Sequence, residues 1–228
     1  GMLGILLVAL VAAGIGAGDV GFLGAGLWTW GVFAVFLYAL RLVTAAEGRP
    51  SWKVIGQPPA PEIGGAEPEV EQSAARLAWA TTIAAAVILA MGFTLARSGE
   101  ALAEREGLGS SFFGAVFVAI STSLPEISTV LAALGLRRYV MAASDIFGTN
   151  LFDIALIFLV DLVYSGGPVL NEVGAFSLVA AMMGIVVTGV FMVGMIERRD
   201  PAIFGVGLDS LVVAVVYFGG IGLLFQLR

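Results

Sequence analysis

The 228-residue sequence contains no cysteine and no histidine, and only 12% of its residues are charged. The absence of cysteine excludes disulfides, thiolate metal sites and cysteine nucleophiles. The absence of histidine excludes the usual zinc ligand and the usual proton carrier at neutral pH. A hydrophobic fraction of 59% and a mean hydropathy of +1.02 exclude an ordinary soluble domain.

Apolar runs of a length that can cross a bilayer recur along the whole chain. We predict an all-α membrane protein, a polytopic bundle of about seven transmembrane helices that crosses the cell (inner) membrane. No positively charged segment precedes the first run, so we predict no signal peptide. The predicted spans are Met2–Ala17, Phe22–Val43, Ala75–Arg97, Phe112–Leu136, Val140–Tyr164, Val173–Ile196 and Ala202–Phe225.

Residues 44–74 separate two of these spans from the other five, and they contain five of the eight prolines. An acidic, proline-rich segment buries too little apolar surface to fold, so we predict a flexible connector rather than a regulatory or ion-sensing loop. If the spans alternate, eight of the eleven basic residues fall on the side of this linker. Because basic residues favour the cytoplasmic side, we expect a cytoplasmic linker and an external C-terminus.

The segment Ser121–Glu126 places a proline and a carboxylate inside the fourth predicted span. Pro125 removes a backbone hydrogen bond, and freed backbone groups survive in a membrane only inside protein or beside water. Glu126 is costly at that depth and marks an ion or substrate pathway by default. The segment therefore predicts a cation site.

Acidic residues also lie inside the fifth predicted span, at Asp145 and Asp153. No Lys or Arg lies deep in any span to neutralise them, and a bound cation satisfies more of these acids than any other explanation. A hydrogen bond between helices is the alternative for a single acid. Asp161 and Asp209 lie nearer span ends, where we expect wet surroundings.

Two neighbouring spans repeat one spacing of polar residues before a carboxylate. Thr122 and Ser123 lie four and three positions before Glu126, and Thr149 and Asn150 lie four and three positions before Asp153. In a helix these offsets share a face. At about 1.5 Å per residue, both carboxylates lie near the membrane midplane. Oxygen ligands alone suit Ca²⁺ and Na⁺, and Mg²⁺ also fits by ligand type.

A faint internal repeat links the second and seventh spans. Gly24-Ala25-Gly26-Leu27 near the start of one corresponds to Gly205-Val206-Gly207-Leu208 near the start of the other. Weak internal similarity of this kind is typical of transporter repeats.

The residues from Ala119 to Glu126 and from Ser144 to Asp153 resemble two signature segments of the sodium/calcium exchanger family, within the wider cation/Ca²⁺ antiporter superfamily. The resemblance places them in the second α-repeat. It implies a ten-helix inverted-repeat antiporter fold of two five-helix repeats, which exchanges Na⁺ for Ca²⁺ by alternating access. On this map residues 1–43 are two helices ending the N-terminal repeat, 44–74 are the linker, and 75–228 are the C-terminal repeat.

The resemblance also implies ligands. Glu126 corresponds to the main shared Ca²⁺ and Na⁺ ligand, and the carbonyl of Ala119 to a Na⁺ ligand. The other implied ligands are Thr122, Ser123, Thr149, Asn150 and Asp153, with Asp145 as a further candidate. Asp145 stands where asparagine is common in the family, and its extra charge leaves open which ions the site selects.

The first α-repeat of the family, with its own glutamate, has no counterpart before residue 44. We expect it in a missing N-terminal part of a longer chain, and otherwise in a partner subunit or an inverted homodimer. The alternatives in function are a H⁺- or K⁺-coupled Ca²⁺ antiporter and a non-transporting half-transporter or remnant. We expect no enzymatic chemistry, no covalent cofactor and no nucleic-acid partner, only the lipid bilayer and the transported ions.

Overall fold

The structure is a computed structural model that describes residues 1–46, 74–107, 110–197, 202–203 and 206–227. Most of the predicted linker, residues 47–73, lies outside the described residues. The described residues are all-α apart from two short hairpins. The helices are α1 (Met2–Ala17), α2 (Leu27–Ala46), α3 (Ala74–Glu106), α4 (Ser110–Phe113), α5 (Ala119–Thr122), α6 (Leu124–Gly135), α7 (Tyr139–Val163), α8 (Ala175–Ile196) and α9 (Leu208–Gln226).

Helices occupy all seven predicted spans, which confirms the fold class. Five helices in the described residues are long and apolar enough to cross a membrane, namely α2, α3, α7, α8 and α9. A sixth span results if the bent pair of residues 114–122 and 124–135 is counted as one. The helix α1, which is the shortest predicted span, is apolar but has only 16 residues.

Two predicted spans begin later than expected because a β-hairpin precedes the helix. Strands β1 (Gly21–Phe22) and β2 (Ala25–Gly26) pair antiparallel immediately before α2, and β3 (Ala202–Ile203) and β4 (Val206–Gly207) do the same immediately before α9. The second hairpin lies 181 positions after the first, at the same offset as the two Gly-x-Gly-Leu segments. The faint sequence repeat is therefore a repeat of structure.

The chain divides into two compact units, Gly1–Trp52 with Val140–Arg228, and Lys53–Tyr139. The first unit has a core in which side chains of α1, α2 and α7 meet, and α8 packs against both α1 and α9. Large rings from α2 and α7 fill part of this core: Phe158 stacks on Phe33 at 4.4 Å between centroids and meets Trp30 edge-on at 4.6 Å. The fully or nearly buried core residues include Leu7, Val32, Phe36, Leu151, Ala155 and Leu170.

The second unit contains α3 and the broken helix that follows it. A π-helical segment, Gly114–Val118, joins α4 to α5 and packs on α3. Phe113 and Phe117 stack at 4.8 Å. Gly99 on α3 permits this close approach, because a Cβ there would lie 3.1 Å from Cε1 of Phe113.

Candidate functional site

The first predicted motif lies at a break in the fourth span. The segments 114–122 and 124–135 meet at an angle of 48°, and Ser123 between them has φ −89° and ψ 1°. Pro125 lies in the first turn of α6 and has no amide to donate to the carbonyl of Ser121. The predicted proline break is confirmed, and a π-helical segment, which is common near functional sites, precedes it.

The break separates two residues that we expected on one helix face. Thr122 is the last residue of α5, and Glu126 is in the first turn of α6. The two residues are therefore not on one face of a continuous helix, as the offset of four assumed. They are joined instead by a bend, and Ser123 lies between the last residue of α5 and the first residue of α6.

Backbone carbonyls near the break are engaged with local donors. The Thr122 hydroxyl lies 3.0 Å from the carbonyl oxygen of Val118 and 3.1 Å from that of Ala119. The Ala119 carbonyl also accepts the amide of Ser123 at 3.0 Å. A hydroxyl whose proton points at the backbone keeps its lone pairs for another ligand. Thr122 can therefore present oxygen to a cation while remaining hydrogen-bonded.

Glu126 is the acidic residue of this motif. Its side chain is half-buried, and Oε2 is buried with no hydrogen-bond partner among the described residues. A buried polar atom without a partner costs free energy, and the cost is larger for a charged group. A proton or a cation at Oε2 would remove that cost.

The second predicted motif lies on α7, which is continuous from Tyr139 to Val163. The helical offsets therefore hold here, and Asp145, Thr149 and Asp153 follow one another at intervals of one turn. The Thr149 hydroxyl donates to backbone, with the carbonyl of Asp145 at 3.0 Å and that of Ile146 at 3.2 Å. Asp145 and Thr149 are half-buried, whereas Asn150 and Asp153 are exposed.

The structure thus gives each motif its local geometry, one in each compact unit. The first motif brings Thr122, Ser123 and Glu126 to the bend, and the second aligns Asp145, Thr149 and Asp153 along α7. Within the part of the chain that the structure describes, no group of three or more acidic side chains forms a metal cluster.

The expectation of wet surroundings for Asp161 is wrong. Its side chain is 1% exposed. Oδ2 accepts the amide of Gly26 at 2.6 Å and the hydroxyl of Thr29 at 2.5 Å, and Oδ1 accepts the amide of Val169 at 2.7 Å. Three donors stabilise the buried carboxylate without a cation, and the positive end of the α2 dipole adds to them.

A second buried carboxylate at the same end of α2 was not predicted. Asp19 is 7% exposed, and its Oδ1 accepts the amides of Val20 at 2.9 Å and Trp28 at 3.0 Å. Asn171 bonds Asp19 in both directions, accepting its amide at 2.7 Å and donating to its carbonyl at 2.8 Å. No spacing signal reveals this network, because Asn171 lies 152 positions from Asp19.

Asp209, for which we also expected wet surroundings, is half-buried. Its Oδ1 accepts the amide of Ser210 at 2.7 Å, and its carboxyl group lies against the bare backbone of Gly194 on α8, where a Cβ would overlap it. Asp209 is therefore only partly buried, between the wet surroundings that we predicted and the full burial of Asp161.

Comparison with known proteins gives one match. The family model described as Sodium/calcium exchanger protein matches residues 76–225, which include both motifs, all of α4 to α8, and nearly all of α3 and α9. No curated protein and no solved structure matches the chain.

Proposed function

Because the chain belongs to the sodium/calcium exchanger family, a family of transporters rather than enzymes, we propose that this membrane cation antiporter exchanges Na⁺ for Ca²⁺ by alternating access. Cation antiport follows from the family, and the choice of ions and the location of the site are our proposal. Glu126 and Asp153 would help to form a cation site near the membrane midplane.

The observation that carries the proposal is Oε2 of Glu126, which is buried at a helix break and has no hydrogen-bond partner among the described residues. In hydrocarbon a charged carboxylate needs a partner of opposite charge, and a bound cation is such a partner. The break adds backbone carbonyls and the hydroxyls of Thr122 and Ser123 to the same place. Hard cations take their ligands from oxygens of these kinds.

The motif on α7 would supply the neighbouring ligands. Thr149 and Asp153 lie one turn apart on a continuous helix, and Asn150 adds an amide oxygen near them. Two carboxylates, one from each motif, balance the charge of one Ca²⁺ or of two Na⁺. Competition for the same carboxylates is what couples the two ions, because a site filled by one cannot at that moment hold the other.

The Ala119 carbonyl has a narrower role in this proposal. It already accepts the Ser123 amide and lies within reach of the Thr122 hydroxyl. A Na⁺ bound at this carbonyl would compete with the Thr122 hydroxyl for it. Thr122 would then donate to Val118 alone, which the 3.0 Å contact already permits.

The test is uptake of ⁴⁵Ca²⁺ into vesicles that contain the native full-length protein and Na⁺ inside. We expect uptake when the external solution lacks Na⁺ and little uptake when Na⁺ is equal on both sides. Glu126→Gln, which keeps the shape and removes the charge, should abolish the Na⁺-dependent part. The matched control is Glu100→Gln, at an exposed position on α3.

Each alternative has its own outcome in this assay. Uptake driven by a H⁺ or K⁺ gradient and indifferent to Na⁺ would replace Na⁺ coupling with one of these ions. Uptake that survives Glu126→Gln would reject the proposed site. No gradient-driven uptake under any condition, from protein that remains folded, would favour a non-transporting subunit.

A further inference from the structure

The buried carboxylate of Asp161 links three segments of the first unit, and neither motif includes it. It joins α7 to Gly26 at the end of β2, to Thr29 in the first turn of α2, and to Val169 in the segment after α7. We propose that Asp161 is a positioning residue that fixes the rotation of α7 about its own axis, and so the direction in which Thr149 and Asp153 face. The consequence for ions rests on the proposed function, whereas the rotation itself does not.

The amides at the start of α2 explain why the carboxylate is held so firmly. The first four amides of a helix have no partner within it. Here the amide of Leu27 donates to the carbonyl of Val20 at 2.9 Å, while Gly26 and Trp28 donate to Asp161 and Asp19. Moving Asp161 would therefore leave the buried amide of Gly26 without an acceptor and would leave the Thr29 hydroxyl only the carbonyl of Gly26, at 2.9 Å. An unsatisfied buried amide costs more than the loss of one exposed bond.

Three other buried residues of α7 form a stripe on one side of the helix, next to Asp161. Leu151, Ala155 and Phe158 are buried in the first unit. At about 100° per residue, these three lie within about 60° of one another around the axis, and Asp161 lies about 60° from Phe158 and almost one turn further along. Packing alone permits small rotations, because rings and aliphatic chains repack. A carboxylate held by three directed hydrogen bonds does not permit them.

The proposed ligands lie on the opposite side of α7. By the same geometry, Thr149 and Asp153 lie about 120–180° around the axis from Leu151, Ala155 and Phe158. A rotation of α7 about its axis therefore turns these two residues by the same angle as the buried stripe and displaces them in the opposite direction. A residue two turns beyond Asp153 can in this way set ligand direction without touching an ion.

Asp19 supports the same junction from the other side and does not form a ligand site. Its Oδ2 is buried without a hydrogen-bond partner among the described residues, but it lies against the Cα of Gly26, where a Cβ would overlap it. The neighbouring oxygens, Asp161 Oδ2 and Asp19 Oδ1, already accept backbone amides. Surroundings rich in amide donors suit a carboxylate rather than a cation. Gly26 thus lies between the two acids and contacts both.

The rotation of α7 can be measured directly, because the chain has no cysteine to remove. Single cysteines at successive positions from Ile146 to Leu159 are spin-labelled in lipid vesicles, and the collision rate with oxygen is recorded for each. In a helix this rate varies with a period of 3.6 residues, and the phase of the variation gives the buried direction. We expect a minimum centred on Leu151, Ala155 and Phe158 in the unsubstituted protein.

The decisive variants are Asp161→Ala and Thr29→Val, with Thr29→Ser as the conservative rescue. We expect Asp161→Ala to shift the phase or reduce its amplitude, Thr29→Val to do the same to a smaller extent, and Thr29→Ser to restore it. Asp209→Asn and Thr44→Val are controls, since Thr44 donates only to the backbone of its own helix. If Asp161→Ala does not fold, the comparison of Thr29→Val with Thr29→Ser tests the proposal by itself.

A second measurement separates this proposal from the proposed function. Binding of ⁴⁵Ca²⁺ should weaken about tenfold or more in the variants whose phase shifts, by analogy with residues that orient metal ligands. An unchanged phase in both Asp161→Ala and Thr29→Val would overturn the proposal, as would a shifted phase with unchanged affinity. If the unsubstituted protein binds no Ca²⁺, the proposed function fails, and the phase still decides whether Asp161 sets the rotation.

Discussion

The hydroxyl of Thr29 on α2 lies 2.5 Å from Oδ2 of Asp161 on α7, and both residues are almost completely buried. This pair contains no basic residue. Its carboxylate is stabilised by a hydroxyl and by two backbone amides, that of Gly26 immediately before α2 and that of Val169 after α7. A buried acid in a membrane helix can therefore serve the architecture, and only its donors distinguish it from an acid that awaits a cation.

Replacement of Thr29 by valine should destabilise the first unit. Valine keeps the shape and removes one hydrogen bond to a charged group, so we expect a loss of about 1–3 kcal/mol in the free energy of unfolding. Thr44→Val on the same helix should change it by less than about 0.5 kcal/mol, because Thr44 is exposed. Chemical unfolding in detergent, followed by tryptophan fluorescence, measures both. Equal effects at the two positions would contradict the importance of the buried bond.

Substitution of Gly26 by alanine should be more harmful than the same substitution at Gly31 in α2. A Cβ on Gly26 would overlap the carboxyl group of Asp19, whereas a Cβ on Gly31 meets nothing within 4 Å. We expect Gly26→Ala to cost about 1–3 kcal/mol through overpacking. Gly31→Ala should instead stabilise by about 0.5–1 kcal/mol, because alanine favours the helix. The same unfolding experiment measures the change in the free energy of unfolding for both variants. If both variants are stabilised, Gly26 does not lie as close to the carboxyl group of Asp19 as the structure indicates.

The sequence was sufficient to predict helices and their approximate limits, because long apolar runs in a membrane leave few other structures. It was not sufficient to predict the hairpins before α2 and α9. Hairpins of two-residue strands have almost no periodicity, and residues 21–26 are as apolar as the helix that follows. The repeated Gly-x-Gly-Leu was the only local sign of them.

In the candidate site, too, some features could be predicted from the sequence and others could not. The break at Pro125 was predictable, since proline acts on its own backbone. The functions of Glu126 and Asp161 were harder to separate, because both are single acids in apolar sequence. Their difference depends on partners far along the chain: Asp161 meets Thr29, 132 positions away, whereas Glu126 Oε2 meets no donor in the described residues. Spacing within one helix cannot report such partners.

Replacement of Pro125 by alanine should reduce the 48° bend between the two halves of the broken span. Alanine restores an amide that can donate to the carbonyl of Ser121, which favours a continuous helix. Spin labels at the exposed positions Ala115 and Leu131 should move further apart, as measured by pulsed electron resonance. Pro168→Ala, outside this span, is the control. An unchanged distance would assign the bend to the π-helical segment and Ser123 rather than to the proline.

Asp145 allows a test of how charge near the proposed site affects ion preference. It lies two turns before Asp153 on α7, at about 12 Å along the axis. A unit charge at that distance acts on Ca²⁺ twice as strongly as on Na⁺, and with an effective dielectric constant near 20 the attraction to Ca²⁺ is about 3 kcal/mol before screening. Salt and water reduce this value, since the Debye length is about 8 Å at physiological ionic strength. We therefore expect Asp145→Asn to weaken Ca²⁺ binding about two- to tenfold and Na⁺ binding less.

Competition between ⁴⁵Ca²⁺ and Na⁺ in the native full-length protein measures this change. The ratio of the two affinities should move toward Na⁺ in Asp145→Asn and stay constant in Asp209→Asn, which removes an acid from a different helix. The shift should shrink when the ionic strength is raised with a large inert cation, because screening weakens a charge that does not touch the ion. A shift of 100-fold, or one insensitive to ionic strength, would instead make Asp145 a direct ligand of the cation.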